Sequence, residues 1–175
     1  VDILRDRRGM NDEDIGLGNE KAIDQLIAHH SIVFEPKKGL VWVSTAPWQL
    51  GKFVCYDLNK VFSMAGMKTD REIRDSSLDV PADSFLLTPA YRGFLRFHQY
   101  KEEIMDGHPV NPDSVIISNP NFYQSYELAG NELFKRKDYR RAIEYYRQAL
   151  NKVIATKGEE NYIRNQIKKA EEKIK

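Results

Sequence analysis

Five side chains in this 175-residue sequence carry the groups that enzymes most often use as nucleophile, base or metal ligand: Cys55, His29, His30, His98 and His108. None of the histidines sits in an H-E-x-x-H arrangement or another recognised zinc spacing, so no metal site is expected. His29 and His30 are adjacent where a helix is expected to run into a strand. Neighbouring strand residues point to opposite faces, so one of the pair at most looks into any given pocket. A structural or surface role is the simpler expectation for both, and a pocket role the alternative. His98 shares a helical stripe with Tyr91 and Phe94 and reads as a packed or edge histidine. Cys55 alternates with Phe53 and Asp57 on an apolar strand. A cysteine nucleophile needs a base, an orienting geometry and access, and no sequence neighbour supplies them. Cys55 is therefore expected to be a buried small hydrophobe. As the only cysteine it excludes an internal disulfide and a cysteine-rich zinc cluster.

Gly16, Gly18 and Gly39 lack the lysine and hydroxyl of a phosphate-cradling loop, so no nucleotide cofactor is expected. The run Ser44-Thr45-Ala46-Pro47-Trp48-Gln49-Leu50-Gly51 is less ordinary. Trp48 and Gln49 follow a strand end, where groups that line a cleft are common. A turn stapled by an aromatic side chain competes with a substrate-wall role for Trp48, Gln49 and His30.

The elements that would position these residues can be read in order. Ile3 and Leu4, among charges, suggest the end of a helix within residues 1–8. Residues 9–18 read as a loop. Asn19 is placed to cap a short helix whose buried side is Ala22, Ile23, Leu26 and Ile27. From residue 30 the period becomes two. Residues 30–35 and 40–45 predict strands joined by Pro36, Lys37, Lys38 and Gly39, a hairpin signal. Val41 and Val43 share one face, with Leu40 and Trp42 opposite, so apolar bulk on both faces implies a sheet covered on both sides. Residues 53–57 predict a third strand, after the turn around Pro47 and Gly51. Residues 64–83 are polar and irregular. Thr88 and Pro89 open a clearer helix, with Tyr91, Phe94, Leu95, Phe97, His98, Ile104 and Met105 on a broad apolar side. Gly107, Pro109, Asn111 and Pro112 end it, and residues 114–117 read as extended. The order of helix, antiparallel strands and helices predicts an α+β body with a helical tail.

The strongest pattern lies in that tail. Tyr126, Ala129, Gly130, Leu133 and Phe134 form one stripe, and Tyr139, Ala142, Ile143, Tyr146, Ala149 and Leu150 another, across a turn at Lys137 and Asp138. Small residues at Gly130, Ala142 and Ala149 let two antiparallel helices approach closely, with Tyr139 and Tyr146 wedged between them. This resembles the tetratricopeptide repeat over about 34 residues. It departs from that pattern at Ile154, where Pro often closes the repeat. A third helix from Asn161, with Ile163, Ile167, Ala170 and Ile174 on one side, fits a cap over the flank. A lone hairpin cannot bury both flanks, so packing against Phe94 and Phe97, or a partner, is expected.

A second resemblance covers about residues 1–62. Ile3-Leu4-Arg5-Asp6-Arg7, the stretch Ala22 to Ile27, His30-Ser31-Ile32-Val33-Phe34-Glu35-Pro36, Val41-Trp42-Val43-Ser44 and Pro47-Trp48-Gln49-Leu50-Gly51 occur in an order similar to the C-terminal portion of the acyl-coenzyme A:6-aminopenicillanate acyltransferase family. That family is a choloylglycine hydrolase-like branch of the self-processing N-terminal-nucleophile hydrolases. The resemblance implies an αββα fold of four layers, cleavage or transfer of an acyl group at a small acylated amide, and a cysteine exposed as first residue by autoproteolysis. Its own α-amino group would act as base, with an asparagine and backbone amides holding the oxyanion. Those residues lie upstream of the segment matching Ile3 to Arg7. Val1 is not Cys, and Cys55 falls on the matching C-terminal strand, so no catalytic residue carries over to this numbering. The resemblance thus implies a distal fragment, inactive alone, whose partner is the remainder of the same enzyme. It also implies an exported or periplasmic location.

The organisation expected is residues 1–83 as the C-terminal part of the αββα body, 84–120 as helix and connector, and 121–175 as the repeat-like hairpin with its cap. Val1 in place of an initiator Met suggests a processed product, a subcloned piece or part of something longer. The net charge of +1 conceals an asymmetry: residues 122–175 carry 13 Lys+Arg against 8 Asp+Glu, and residues 1–121 carry 14 against 18. That falls short of a nucleic-acid signature, and no apolar stretch suits a bilayer crossing. A basic tail leaves a second function open, a non-catalytic protein-interaction module acting through the helical tail, or an oligomer formed by it.

Overall fold

A computed structural model of the chain describes residues 1–64 and 74–175. It divides into two units that interleave along the chain: Val1–Asp6 with Leu26–Leu86, and Arg7–Gln25 with Leu87–Lys175. The first is a mixed unit with a three-stranded antiparallel sheet and the second is mostly helical. The sequence assigned residues 7–25 to the α+β body; the structure groups them with the helices.

In the first unit, strands β1 (Ile32–Glu35), β2 (Leu40–Ser44) and β3 (Phe53–Asp57) pair in the order β1-β2-β3. The hairpin turn forms at the expected residues, with the amides of Lys38 and Gly39 donating to the carbonyls of Glu35 and Pro36. Asp57 ends β3 and caps helix α1 (Leu58–Ser63), its carboxylate accepting from the amides of Asn59 and Lys60. The sequence of residues 64–83 predicts an irregular stretch. Its described part holds a short 3-10 turn at Ser76–Leu78, and the rest lies outside the described residues. Its backbone lines the free edge of β3: Phe53 and Val80 exchange two hydrogen bonds of 2.9 Å, and the Asp75 amide donates to the Cys55 carbonyl. The helix end expected in residues 1–8 is a single 3-10 turn, Asp2–Arg5. Its last residue clamps two loops, the Arg5 guanidinium donating to the carbonyls of Gln49 (3.1 Å), Gly51 (2.8 Å) and Pro81 (2.9 Å).

In the second unit, helices α2 (Pro89–Met105), α3 (Pro112–Ser118), α4 (Tyr123–Lys135), α5 (Tyr139–Leu150) and α6 (Lys157–Ile174) each pack on the next. The starts follow local chemistry. Thr88, Asn111 and Asp138 each accept from a first-turn amide, and Thr156 and Glu159 form a reciprocal capping box. The core joins Phe97, Val115, Phe122, Tyr123, Leu133, Ala142, Tyr146 and Ile163. Phe97 meets Phe122 edge to face at 5.5 Å, so the hairpin α4–α5 shares one core with α2.

Three sequence expectations are corrected. The stretch 114–117, expected extended, lies inside α3. Asn111 and Pro112 supply a cap and a first-turn proline that outweigh the β-branched run Val115, Ile116, Ile117. The third tail helix begins at Lys157, one turn before Asn161, because the capping box sits at Thr156. No helix forms at residues 20–27. Asn19 caps only a turn, accepting from the Lys21 amide, while its Nδ2 donates to the carbonyls of Ile15 and Val153. Leu26 adopts φ 54°, and Ile23 and Ile27 are more than half exposed.

Residues 7–25 instead form a strap on the helices. Leu17 and Asn119 exchange two bonds: the Leu17 amide donates to Asn119 Oδ1 (3.1 Å) and Asn119 Nδ2 donates to the Leu17 carbonyl (2.7 Å). Gly16, at φ 82°, lies so close that a Cβ there would stand 2.4 Å from the Phe122 backbone. Left-handed backbone and absent side chain are both required at that position. The buried Asp24 carboxylate pairs with Arg7 at 3.5 Å.

Candidate functional site

The sheet unit holds most of the residues singled out for chemistry. Register places Ile32, Val43 and Val54 in one cross-strand row and Phe34, Val41 and Tyr56 in the next. Side chains alternate between faces, so these six form one wholly apolar or aromatic face. Val41 and Val54 are buried, whereas Ile32 and Phe34, on edge strand β1, are 52% and 61% exposed. The expectation of a sheet covered on both sides thus holds at β2 and β3 and lapses at β1.

The opposite face carries Val33, Trp42, Cys55 and Phe53. Trp42 Nε1 donates to the Leu78 carbonyl at 2.8 Å, and the Arg5 guanidinium lies 5.4 Å from the Phe53 ring centre. Cys55 is fully buried, as expected, and its amide donates to Asp79 Oδ1 at 3.0 Å. Burial pushes the thiol pKa up, and the carboxylates of Asp75, Asp79 and Asp57 push it further, against a smaller opposing effect of Lys60. That environment suppresses the thiolate and with it nucleophilic reactivity. Asp79 Oδ2 is buried without a hydrogen bond, although Lys52 Nζ stands 3.6 Å away.

The turn after β2 places the other sequence candidates. Trp48 is half-buried at φ 48°, after a cis Ala46-Pro47 bond, and Gln49 is buried with its carbonyl held by Arg5. Gly51 packs against the Thr45 carbonyl, where a Cβ would stand 2.0 Å away. The turn itself is closed by its backbone, the amides of Leu50 and Gly51 donating to the Pro47 carbonyl. His29 and His30 are exposed. His98 packs against the rings of Phe94 and Phe97 at 4.5 and 6.0 Å. Burial, aided by Lys101, lowers its pKa against the pull of Glu102.

In the helical unit a groove of about 380 Å³ lies between α2 and α3, lined by Pro89, Arg92, Gly93, Arg96, Tyr100, Ser114, Ile117 and Ser118. None of the histidines, Cys55, Trp48 or Gln49 lines it. Sequence reasoning passed over it because Arg92 and Arg96 lie off the apolar stripe of α2; their four-residue spacing was the available signal. Among the described residues no three His, Cys, Asp or Glu side chains gather as a metal site. No described helix is long and apolar enough to cross a membrane.

No family model, no curated protein and no solved structure matches the chain.

Proposed function

We propose that the chain is the C-terminal portion of an amide-directed acyl hydrolase or acyltransferase of the αββα type, whose cysteine nucleophile lies outside residues 1–175. One observation carries the reading beyond the ordered motifs: the β1 end of the apolar sheet face, where Ile32 and Phe34 stay exposed although Val41 and Val54 of the same face are buried. Sheets of layered folds continue past such an edge and bury its apolar residues, so the remainder of the same enzyme would extend the sheet beyond β1 and cover Ile32 and Phe34. The buried, unactivated Cys55 is consistent with a nucleophile elsewhere. In the proposed reaction that distant thiolate attacks the acyl carbon of a small acylated amide. The C–N bond breaks, the amine leaves with a proton, and water or another nucleophile then takes the acyl group.

The hairpin α4–α5 with α6 serves in this reading as a single tetratricopeptide-like appendage that braces or pairs the enzyme. Ala142 and Ala149 are fully buried between helices, and Gly130 faces the Tyr146 ring, which supports that assignment.

Mass analysis of the native polypeptide, captured from its source cells with an antibody against α6, tests the proposal. A product continuous with, or co-purifying with, a segment bearing N-terminal Cys is expected. A native chain beginning near Val1, with no such companion, overturns it.

A further inference from the structure

Most arginines of the helical unit have a carboxylate neighbour. Arg7, Arg8, Arg136, Arg141, Arg147 and Arg164 each lie within 4.0 Å of a carboxylate. Arg92, Arg96 and Arg140 have no carboxylate partner among the described residues, and of these Arg92 and Arg96 line the groove between α2 and α3. Its described lining residues include no acidic side chain. Two cations therefore share one concavity with no described carboxylate among its walls.

The helix period explains their placement. Pro89, Arg92, Gly93, Arg96 and Tyr100 recur at three- and four-residue intervals, so they form one stripe of α2. The core residues Tyr91, Phe94, Phe97 and Ile104 occupy another. Gly93 sets the depth of the groove. A Cβ there would stand 2.6 Å from the Ser118 carbonyl oxygen, so only glycine lets the end of α3 close against α2. Arg92 Nη1 donates to the Leu87 carbonyl at 3.0 Å, which steadies one guanidinium and leaves its other N–H groups available. Tyr100 and Ser114 add hydroxyls with no intramolecular partner among the described residues, whereas Ser118 spends its hydroxyl on the Val115 carbonyl.

We propose that this groove binds a small ligand bearing a phosphate or carboxylate group on a compact apolar body. Guanidinium forks match the paired oxygens of both groups, and one helical turn places two such forks about 5–6 Å apart at their Cβ atoms. Ser114 and Tyr100 supply neutral donors to the remaining oxygens. Pro89, the Tyr100 ring and Ile117, itself 77% exposed, form the apolar wall. A volume of about 380 Å³ is at the small end of the range for small-molecule sites, about 300–1,000 Å³. The assignment is independent of the acyl-transfer reading.

Titration of the full chain with inorganic phosphate, phenyl phosphate and benzoate at fixed ionic strength, followed by amide NMR shifts, tests it. Saturable shifts confined to residues 89–100 and 114–118 are expected with phenyl phosphate or benzoate. The stronger of the two identifies the preferred headgroup. The double variant Arg92→Gln with Arg96→Gln should weaken binding at least about tenfold, the loss of one or more charge-assisted bonds, with an unchanged circular-dichroism spectrum. Ile117→Glu, at an exposed position, brings a carboxylate to the guanidiniums and should abolish binding. Non-saturating shifts scattered over other arginines, or unweakened binding in either variant, overturn the site. Equal affinity for inorganic phosphate and phenyl phosphate overturns the proposed ligand class.

Discussion

Gly130 of α4 lies directly beneath the Tyr146 ring of α5: a Cβ on Gly130 would stand 2.7 Å from Tyr146 Cε1. The ring has little freedom to retreat, since Tyr146 is fully buried and its hydroxyl donates to Asn131 Oδ1 at 2.7 Å. Gly130→Ala gains helix propensity of about 1 kcal/mol but overpacks the helix pair by about 1–3 kcal/mol. A net loss of about 0–2 kcal/mol is expected, read as a urea midpoint that is unchanged or lower. A midpoint raised by the full helix-propensity gain would show that the two helices are not closely apposed.

Cys55 has the burial of a packing residue, so Cys55→Ser should lower stability by about 1–3 kcal/mol by placing a hydroxyl among apolar neighbours. The native thiol should react with an aromatic disulfide reagent only as the protein unfolds. Rapid labelling of the folded chain would contradict this.

Glu127 of α4 is predicted to make stability fall with rising pH. Burial first, and the Glu159 carboxylate second, raise its pKa from an ordinary 4.5 to about 7, against the opposing charge of Lys101. Between those two values the folded state holds a proton that the unfolded state has lost. The stabilisation is therefore complete below about 4.5 and disappears as pH climbs through about 7. Glu127→Gln should flatten that slope and raise stability at pH 8 by about 1–3 kcal/mol. Paired urea melts at pH 5 and pH 8 provide the measurement, and parallel pH profiles would refute the assignment.

Asn119→Ala removes both side-chain bonds to Leu17 and leaves its amide and carbonyl unpaired. Each lost partner costs about 1–3 kcal/mol when the group stays buried. Hydrogen exchange at Leu17 should accelerate well beyond that of Ile163. Equal protection before and after would show that the strap is held by other contacts.

Where structure follows from neighbours in sequence, the sequence was readable. Thr88 and Pro89 start α2, the Pro36–Gly39 turn sets the hairpin, and the small residues Gly130, Ala142 and Ala149 mark the helix pair. All of these signals act within a few residues. Asn19 shows the other case. Its side chain looks like a helix cap, yet it bonds the Val153 carbonyl, a partner 134 positions away that no local pattern reveals. Likewise the alternation of β1 disclosed which residues share its apolar face, but not that Ile32 and Phe34 stay exposed. The groove arginines were hidden for a different reason. Charged residues four apart on a helix are ordinary, and what sets Arg92 and Arg96 apart is a shared groove with no carboxylate among its described lining residues.

The strap has a consequence for biosynthesis. Residues 7–25 leave the ribosome long before the groups they must bond. At about 5–20 residues per second, Asn19 waits on the order of ten seconds for Val153 to be made. Leu17 lacks its partner until Asn119 is made, and Asn19 lacks the Val153 carbonyl throughout. The helices can condense in order of emergence, but the strap, the first-made segment of the helical unit, cannot complete its bonds until α5 and the Val153 carbonyl after it are made.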